Sequence, residues 1–177
     1  MSEDTTNGSG AQPAVGETAD DQLIQVGVLA QYVKDLSFEN PGAPASLQKL
    51  GEVKPQIDVG VNVNARRVAD DRFEVDLQIT AKALQDNDPA FLVELLYSGI
   101  FAAVNMPDEA LQPFLLIECP RILFPFARRI IADVTRDGGF PPLLLEPIDF
   151  ATLYRQHLAQ AQAEAQKEVE GHPNQIN

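Results

Sequence analysis

Cys119, His157 and His172 are the only cysteine and histidines of the chain, so nucleophilic or metal chemistry would have to be built around them. Cys119 precedes Pro120 at a helix entrance with no histidine nearby, which describes an inert structural thiol better than a nucleophile. His157 falls in the final helical stretch and His172 in the loose terminus, with no partner at metal-ligand spacing. There is no glycine-rich phosphate loop and no serine in a G-x-S-x-G turn. Among the carboxylate pairs, Asp70-Asp71 reads as a turn and Asp108-Glu109 as a helix start, where acids satisfy free amides and the helix dipole. No catalytic residue, metal site or cofactor is expected, and the chain does not read as an enzyme.

Binding chemistry is better represented. Asp35, Glu39, Glu74, Asp76 and Glu94 fall on the polar faces of alternating segments, with Lys82 as the one base among those strand positions. Leu92 and Leu96 share the face of Glu94. A purely solvating surface has no need of them, so an acidic face with apolar elements points to a partner.

Three stretches alternate with period two, the pattern of strands with one wet and one dry side. In the first, Ile24, Val26, Val28, Ala30, Tyr32, Leu36 and Phe38 fall on one face, interrupted by Lys34, against Gln25, Gln31, Asp35, Ser37 and Glu39. Ile57, Val59, Val61 and Val63 alternate with Asp58, Gly60, Asn62 and Asn64. Phe73, Val75, Leu77, Ile79 and Ala81 oppose Glu74, Asp76, Gln78, Thr80 and Lys82. A fourth strand follows, in which Phe91, Val93, Leu95 and Tyr97 alternate with Leu92, Glu94, Leu96 and Ser98. Turn-rich segments at 40–44, 65–71 and 86–89 join the four into an antiparallel sheet.

After Gly99 the period reads as helical. From Arg121 to Asp137 the residues Ile122, Leu123, Phe124, Phe126, Ala127, Ile130, Ile131 and Val134 occupy an arc of roughly 200°, about twice what one sheet contact needs. The excess points to a second subunit on the far side, with Phe126, Ile131 and Val134 as interface candidates. Gly138 and Gly139 end this helix. A Pro-punctuated apolar loop, 140–150, precedes a last amphipathic helix that starts near Asp149 or Phe150. Strands first and helices after give an α+β fold.

The 177 residues carry 13 Lys and Arg against 26 Asp and Glu, which excludes the basic footprint that nucleic acid or an anionic membrane surface requires. Residues 1–21 read as a disordered acidic tail, 22–158 as the folded domain and 159–177 as a fraying helix end with a flexible tail. The domain keeps 18 acids and 12 bases, so about half the charge belongs to the tails. One cysteine fits a reducing compartment. The first twenty residues lack the charged start and apolar centre of a signal peptide, and no apolar run approaches the roughly 20 residues of a membrane helix, so direct membrane insertion is not expected and a cytoplasmic location is.

The segments VKDLSFENPGAP (33–44), VADDRFEVDLQITAKA (68–83), FLVELLYSGIF (91–101) and CPRILFPFARRIIADVTRDGGFPPLLLEPIDFATLY (119–154) resemble the SecB family of protein-export chaperones. The resemblance spans the folded part. It implies a four-stranded antiparallel sheet backed by two helices and assembled as a dimer of dimers, a homotetramer. It further implies an ATP-independent chaperone that binds unfolded secretory precursor proteins, keeps them translocation-competent and delivers them to the SecA motor. The carboxylates matched to SecA docking fall on Asp35, Glu39 and Glu94, with Leu92 as apolar companion. The client groove would carry over to Val59, Val61, Phe140 and Tyr154. The competing reading from another class is an acidic oligomeric adaptor that binds one folded basic partner without holding unfolded chains.

Overall fold

The structure, a computed structural model, describes residues 23–52 and 54–170, with side chains described to residue 163. The expected acidic tail, 1–21, lies outside the described residues, as does 171–177. Four strands, β1 (Gln25–Glu39), β2 (Gln56–Ala69), β3 (Arg72–Gln85) and β4 (Asp88–Val104), form one antiparallel sheet in the order β1-β4-β3-β2. The β2–β3 and β3–β4 links are tight turns. Asp71 takes φ 53°, Asp86 52° and Asn87 68°, the left-handed values that Asp and Asn tolerate and that match the twist of hairpin strands. β1 is instead joined to β2, at the opposite edge of the sheet, by the long 40–55 connection, which carries a short helix, α1 (Ala45–Gln48).

Two strands run further than their alternation indicates. β2 continues through 65–69, where a turn is expected from the sequence, because Arg66 lies opposite Glu74 and Arg67 opposite Phe73. Arg66 forms an ion pair with Glu74, and the Arg67 guanidinium lies 4.8 Å from the centre of the Phe73 ring, so both cations gain from staying in the ladder. β4 continues to Val104, past the point where the period reads as helical. Phe101 and Ala103 enter the core while Ile100 and Ala102 lie on the other face. With apolar residues on both faces, that segment has no polar alternation to announce it.

Val75, Leu77, Ile79, Val93 and Leu95 are wholly buried on one side of the sheet beneath Leu123, Ala127 and Ile131 of α3 (Cys119–Asp137). α2 (Asp108–Pro113) leads into α3 through a π-helical turn, Phe114–Glu118, between Pro113 and Pro120, two residues that cannot donate to a preceding carbonyl. The continuous stretch Asp108–Asp137 is long and apolar enough to cross a membrane by length and composition; here its apolar face fills the core. α3 ends at Gly139, which takes φ 87°, while Phe140 N–H donates to the Thr135 carbonyl at 3.1 Å, as in a glycine-terminated helix. α4 (Phe150–Glu170) starts where expected, with Asp149 accepting from the Thr152 amide at 3.1 Å. Its main packing is on the π-helical turn, so α3 is the helix that backs the sheet.

Candidate functional site

The sheet face turned away from α3 carries the acidic residues. Opposed residues of an antiparallel pair share a face about 5 Å apart, and the register sets Asp35 against Leu96, Ser37 against Glu94 and Glu39 against Leu92. Asp35, Glu39 and Glu94 are exposed and both leucines half-buried. The four residues expected for partner docking, Asp35, Glu39, Leu92 and Glu94, therefore lie together on one face, carboxylates and leucines alternating like a checkerboard, with Leu96 completing it. Lys82, opposite Leu92 on β3, borders the patch.

Two acids read from alternation as wet do not belong to that patch. Glu74 is 4% exposed and accepts hydrogen bonds from the Tyr32 hydroxyl, from Lys34 at 3.1 Å and from Arg66 Nε at 2.6 Å. The Tyr32 hydrogen bond and the two cations outweigh its desolvation and hold its carboxyl down at about 2. Asp76 accepts from Lys34 at 3.0 Å and from Ser98 Oγ at 2.5 Å. The base shared by both acids is Lys34, the residue that interrupts the alternation of β1. The first strand also departs from its expected faces. Shifts in register between Val28 and Ala30 and between Val33 and Asp35 turn Ala30 and Tyr32 to the open face and Gln31 and Val33 to the helix side. Two bulges break a strand that single-period reading treats as one.

On the helix side, the edge strand β2 presents Ile57, Val59, Val61 and Val63 in a row. α3 packs on β4, β3 and β1, so this row is not under it, and Ile57 and Val59 are 40% and 44% exposed. At the Ile57 end lies an open, mostly apolar cavity of about 350 Å³, shaped by Leu50, Ile57, Phe91, Phe140, Pro142 and Leu143, with Lys54 at its edge. At the Val63 end a small cleft is formed by Val63, Leu116, Leu153, Tyr154 and His157. The expected groove residues are thus not gathered in one cavity. Phe140 lines one and Tyr154 the other, and Val59 and Val61 span the roughly 20 Å between Ile57 and Val63. Phe140 is itself buried against Phe38 and Phe91, so it forms the floor more than the surface.

The interface candidates on α3 separate. Ile131 is wholly buried beneath the chain's own sheet and is not available to a second subunit, which corrects its assignment. Helical periodicity gives the width of an apolar arc and leaves open which part of it meets the sheet. Val134 is half-buried against the core, whereas Phe126 is 45% and Ile122 39% exposed. A second exposed apolar surface is the β1 edge, where Leu23, Ile24, Val26, Val28, Leu29, Val33 and Leu36 are all open. Cys119 is buried, and desolvation pushes its thiol up to about 12, which suits a packing role. Among the described residues no three His, Cys, Asp or Glu side chains converge as metal ligands would.

An open acidic-apolar sheet face opposite an uncovered apolar track describes a chaperone-type binding scaffold. Comparison with known proteins gives the family. Residues 19–161 match the family model described as preprotein translocase subunit SecB. The chain is 54% identical over 161 residues to the protein-export protein SecB of a Bradyrhizobium species, covering 91% of this chain and 95% of the relative. It is 56% identical over 144 residues to that of Maricaulis maris, covering 81% and 83%, and 51% identical over 169 residues to that of Rhodopseudomonas palustris, covering 96% and 99%. A SecB-like chaperone of Mycobacterium tuberculosis, solved with a ChAD peptide from an antitoxin, shares the fold with a TM-score of 0.57 at 15% identity, over 70% of this chain and 90% of that one. The chain belongs to the SecB family of protein-export chaperones.

Proposed function

We propose that the chain is a cytoplasmic holdase that works without ATP, binding unfolded secretory precursors along the β2 track and its two flanking cavities, and docking SecA through the checkerboard of Asp35, Glu39, Leu92, Glu94 and Leu96. The observation that carries this reading is the placement of the two surfaces on opposite sides of one sheet, which lets a client stay bound while the motor docks. The track suits unfolded chain: it is apolar and extended, and repeated weak contacts along it add through avidity. The checkerboard suits a basic partner. Asp35 and Glu39 stand roughly 13 Å apart along the strand, beyond the screening length of about 8 Å at physiological salt, so each needs its own cation.

Assembly follows from the two remaining apolar surfaces. A long, apolar, unpaired edge strand is an aggregation hazard unless it is covered. The β1 edge and the outer stripe of α3, with Phe126 and Ile122, meet at Tyr97, which lies opposite Val33 and 6.3 Å from the Phe126 ring, but they offer different contacts, a strand edge and a helix face. Two distinct self-complementary interfaces close a tetramer as a dimer of dimers.

The test is to separate the faces. Val59→Asp should weaken retention of an unfolded precursor at least tenfold, since a buried unpaired charge costs more than the roughly 1.4 kcal/mol that tenfold requires, and should leave SecA affinity unchanged. Glu94→Lys or Glu39→Lys should do the reverse, and the wild-type SecA contact should weaken as salt rises. Calorimetric titration of each variant against SecA and against a denatured precursor decides it; variants that lose both activities together, or neither, would contradict two independent surfaces.

A further inference from the structure

β1 changes phase at Lys34. The ladder runs in step from Ala30 opposite Ile100 to Val33 opposite Tyr97, and again from Asp35 opposite Leu96 to Glu39 opposite Leu92, leaving Lys34 as the extra residue between the two runs. The consequence is large because the side-chain period is two. From Val33, which faces the helix side with buried Tyr97, strict alternation would send Asp35, Ser37 and Glu39 toward the core and Leu36 and Phe38 to the open face. The extra residue reverses this. It seats Phe38 against Phe91, with ring centres 5.9 Å apart, and turns Asp35 and Glu39 outward.

Because the earlier shift between Val28 and Ala30 has already reversed the phase, burial of Phe38 requires a second shift further along, but does not say where. Lys34 does. Its ammonium lies 3.1 Å from Glu74 and 3.0 Å from Asp76, both on β3, so the side chain reaches across β4 on the open face. The acceptors are themselves fixed: Glu74 by Tyr32 and Arg66, Asp76 by wholly buried Ser98. All four strands contribute to holding this one ammonium in place.

We infer that Lys34, held by Glu74 and Asp76, is a positioning residue for partner docking: the clamp fixes the bulge one residue ahead of Asp35 and so aims the Asp35 carboxylate at the docking ridge. This rests on the docking role proposed for Asp35. It carries a sign that ordinary electrostatics does not. Removing Lys34 makes an acidic face more negative, which by charge alone tightens binding to a basic partner, whereas loss of aim weakens it.

The experiment titrates full-length Lys34→Met against purified SecA by calorimetry at two salt concentrations, with Lys34→Arg, Asp35→Asn, Asp35→Lys and the Lys34→Met/Asp35→Asn double variant beside it. Lys34→Met should bind about tenfold more weakly and show a shallower salt dependence. Lys34→Arg, which keeps the cation, should restore affinity. The double variant should bind no more weakly than Asp35→Asn alone, since the two changes remove the same contact. Should Lys34→Met prove insoluble, Asp76→Asn removes one jaw of the clamp and must show the same loss. Wild-type or tighter binding by Lys34→Met or Asp76→Asn, with Asp35→Lys still impaired, overturns the clamp and leaves the docking surface standing. Wild-type binding by Asp35→Lys overturns the docking role and the clamp with it.

Discussion

Single residues carry more of this fold than their types announce. Glu74 reads from alternation as one more surface acid, yet it is buried and takes three hydrogen bonds from Tyr32, Lys34 and Arg66. Its carboxyl is held at about 2, below its ordinary 4.5. A depressed carboxylate contributes stability that is full above its unfolded value and is lost as pH falls through its folded one. The native state should therefore weaken between about pH 4.5 and 2. Glu74→Gln should lower stability at neutral pH by about 2 kcal/mol, because it leaves two cations short of an acceptor, and should flatten that acid slope; urea titrations at several pH values measure both. An unchanged acid slope in the variant would show that other groups govern it. Gly138 is a second case. Its backbone angles suit any residue, and the sequence gives it the same cap role as Gly139, but the Phe38 ring lies where a Cβ would stand. Gly138→Ala should cost about 1–3 kcal/mol through that overlap, read as a lower urea midpoint, and Phe38→Leu in the same chain should recover part of it. Neither role is visible in a one-dimensional string, since both depend on which strand lies next to which.

At the scale of elements, the four strands, the long helix over 121–137 and the helix start near 149–150 were legible because polar and apolar residues alternate there, most cleanly in β2, β3 and the helix. What stayed hidden has physical causes. The bulges of β1 interrupt the period without interrupting the strand, the end of β4 is apolar on both faces, and Arg66 and Arg67 look like turn residues until their partners on β3 are known. The arc of α3 was legible as two-sided, but its division was not. Ile131 belongs inside and Phe126 outside, which gives paired expectations. Ile131→Asp should abolish folding, as a charge in a wholly buried site costs several kcal/mol. Phe126→Asp should leave the fold intact and halve the particle mass. Circular dichroism with light scattering separates the two, and a Phe126→Asp chain that keeps the wild-type mass would remove the outer stripe of α3 from the interface.

At the scale of the whole molecule, the acidic patch was legible as a shared face because Asp35, Glu39, Leu92 and Glu94 sit in phase along two strands that prove to be neighbours. The groove was less so. Val59, Val61, Phe140 and Tyr154 come from three regions of the chain, and only the tertiary fold shows that β2 connects the cavity at Phe140 to the cleft at Tyr154. The excess of 26 acids over 13 bases keeps such an apolar surface soluble and favours basic segments of clients. Whether this scaffold holds unfolded precursors by itself is read by light scattering from a denatured secretory precursor diluted into buffer without nucleotide. With four chains of the protein present per precursor, aggregation should be suppressed and the precursor should remain competent for translocation; a precursor that aggregates at the same rate with and without the protein would contradict a holding role and favour an adaptor for a folded basic partner.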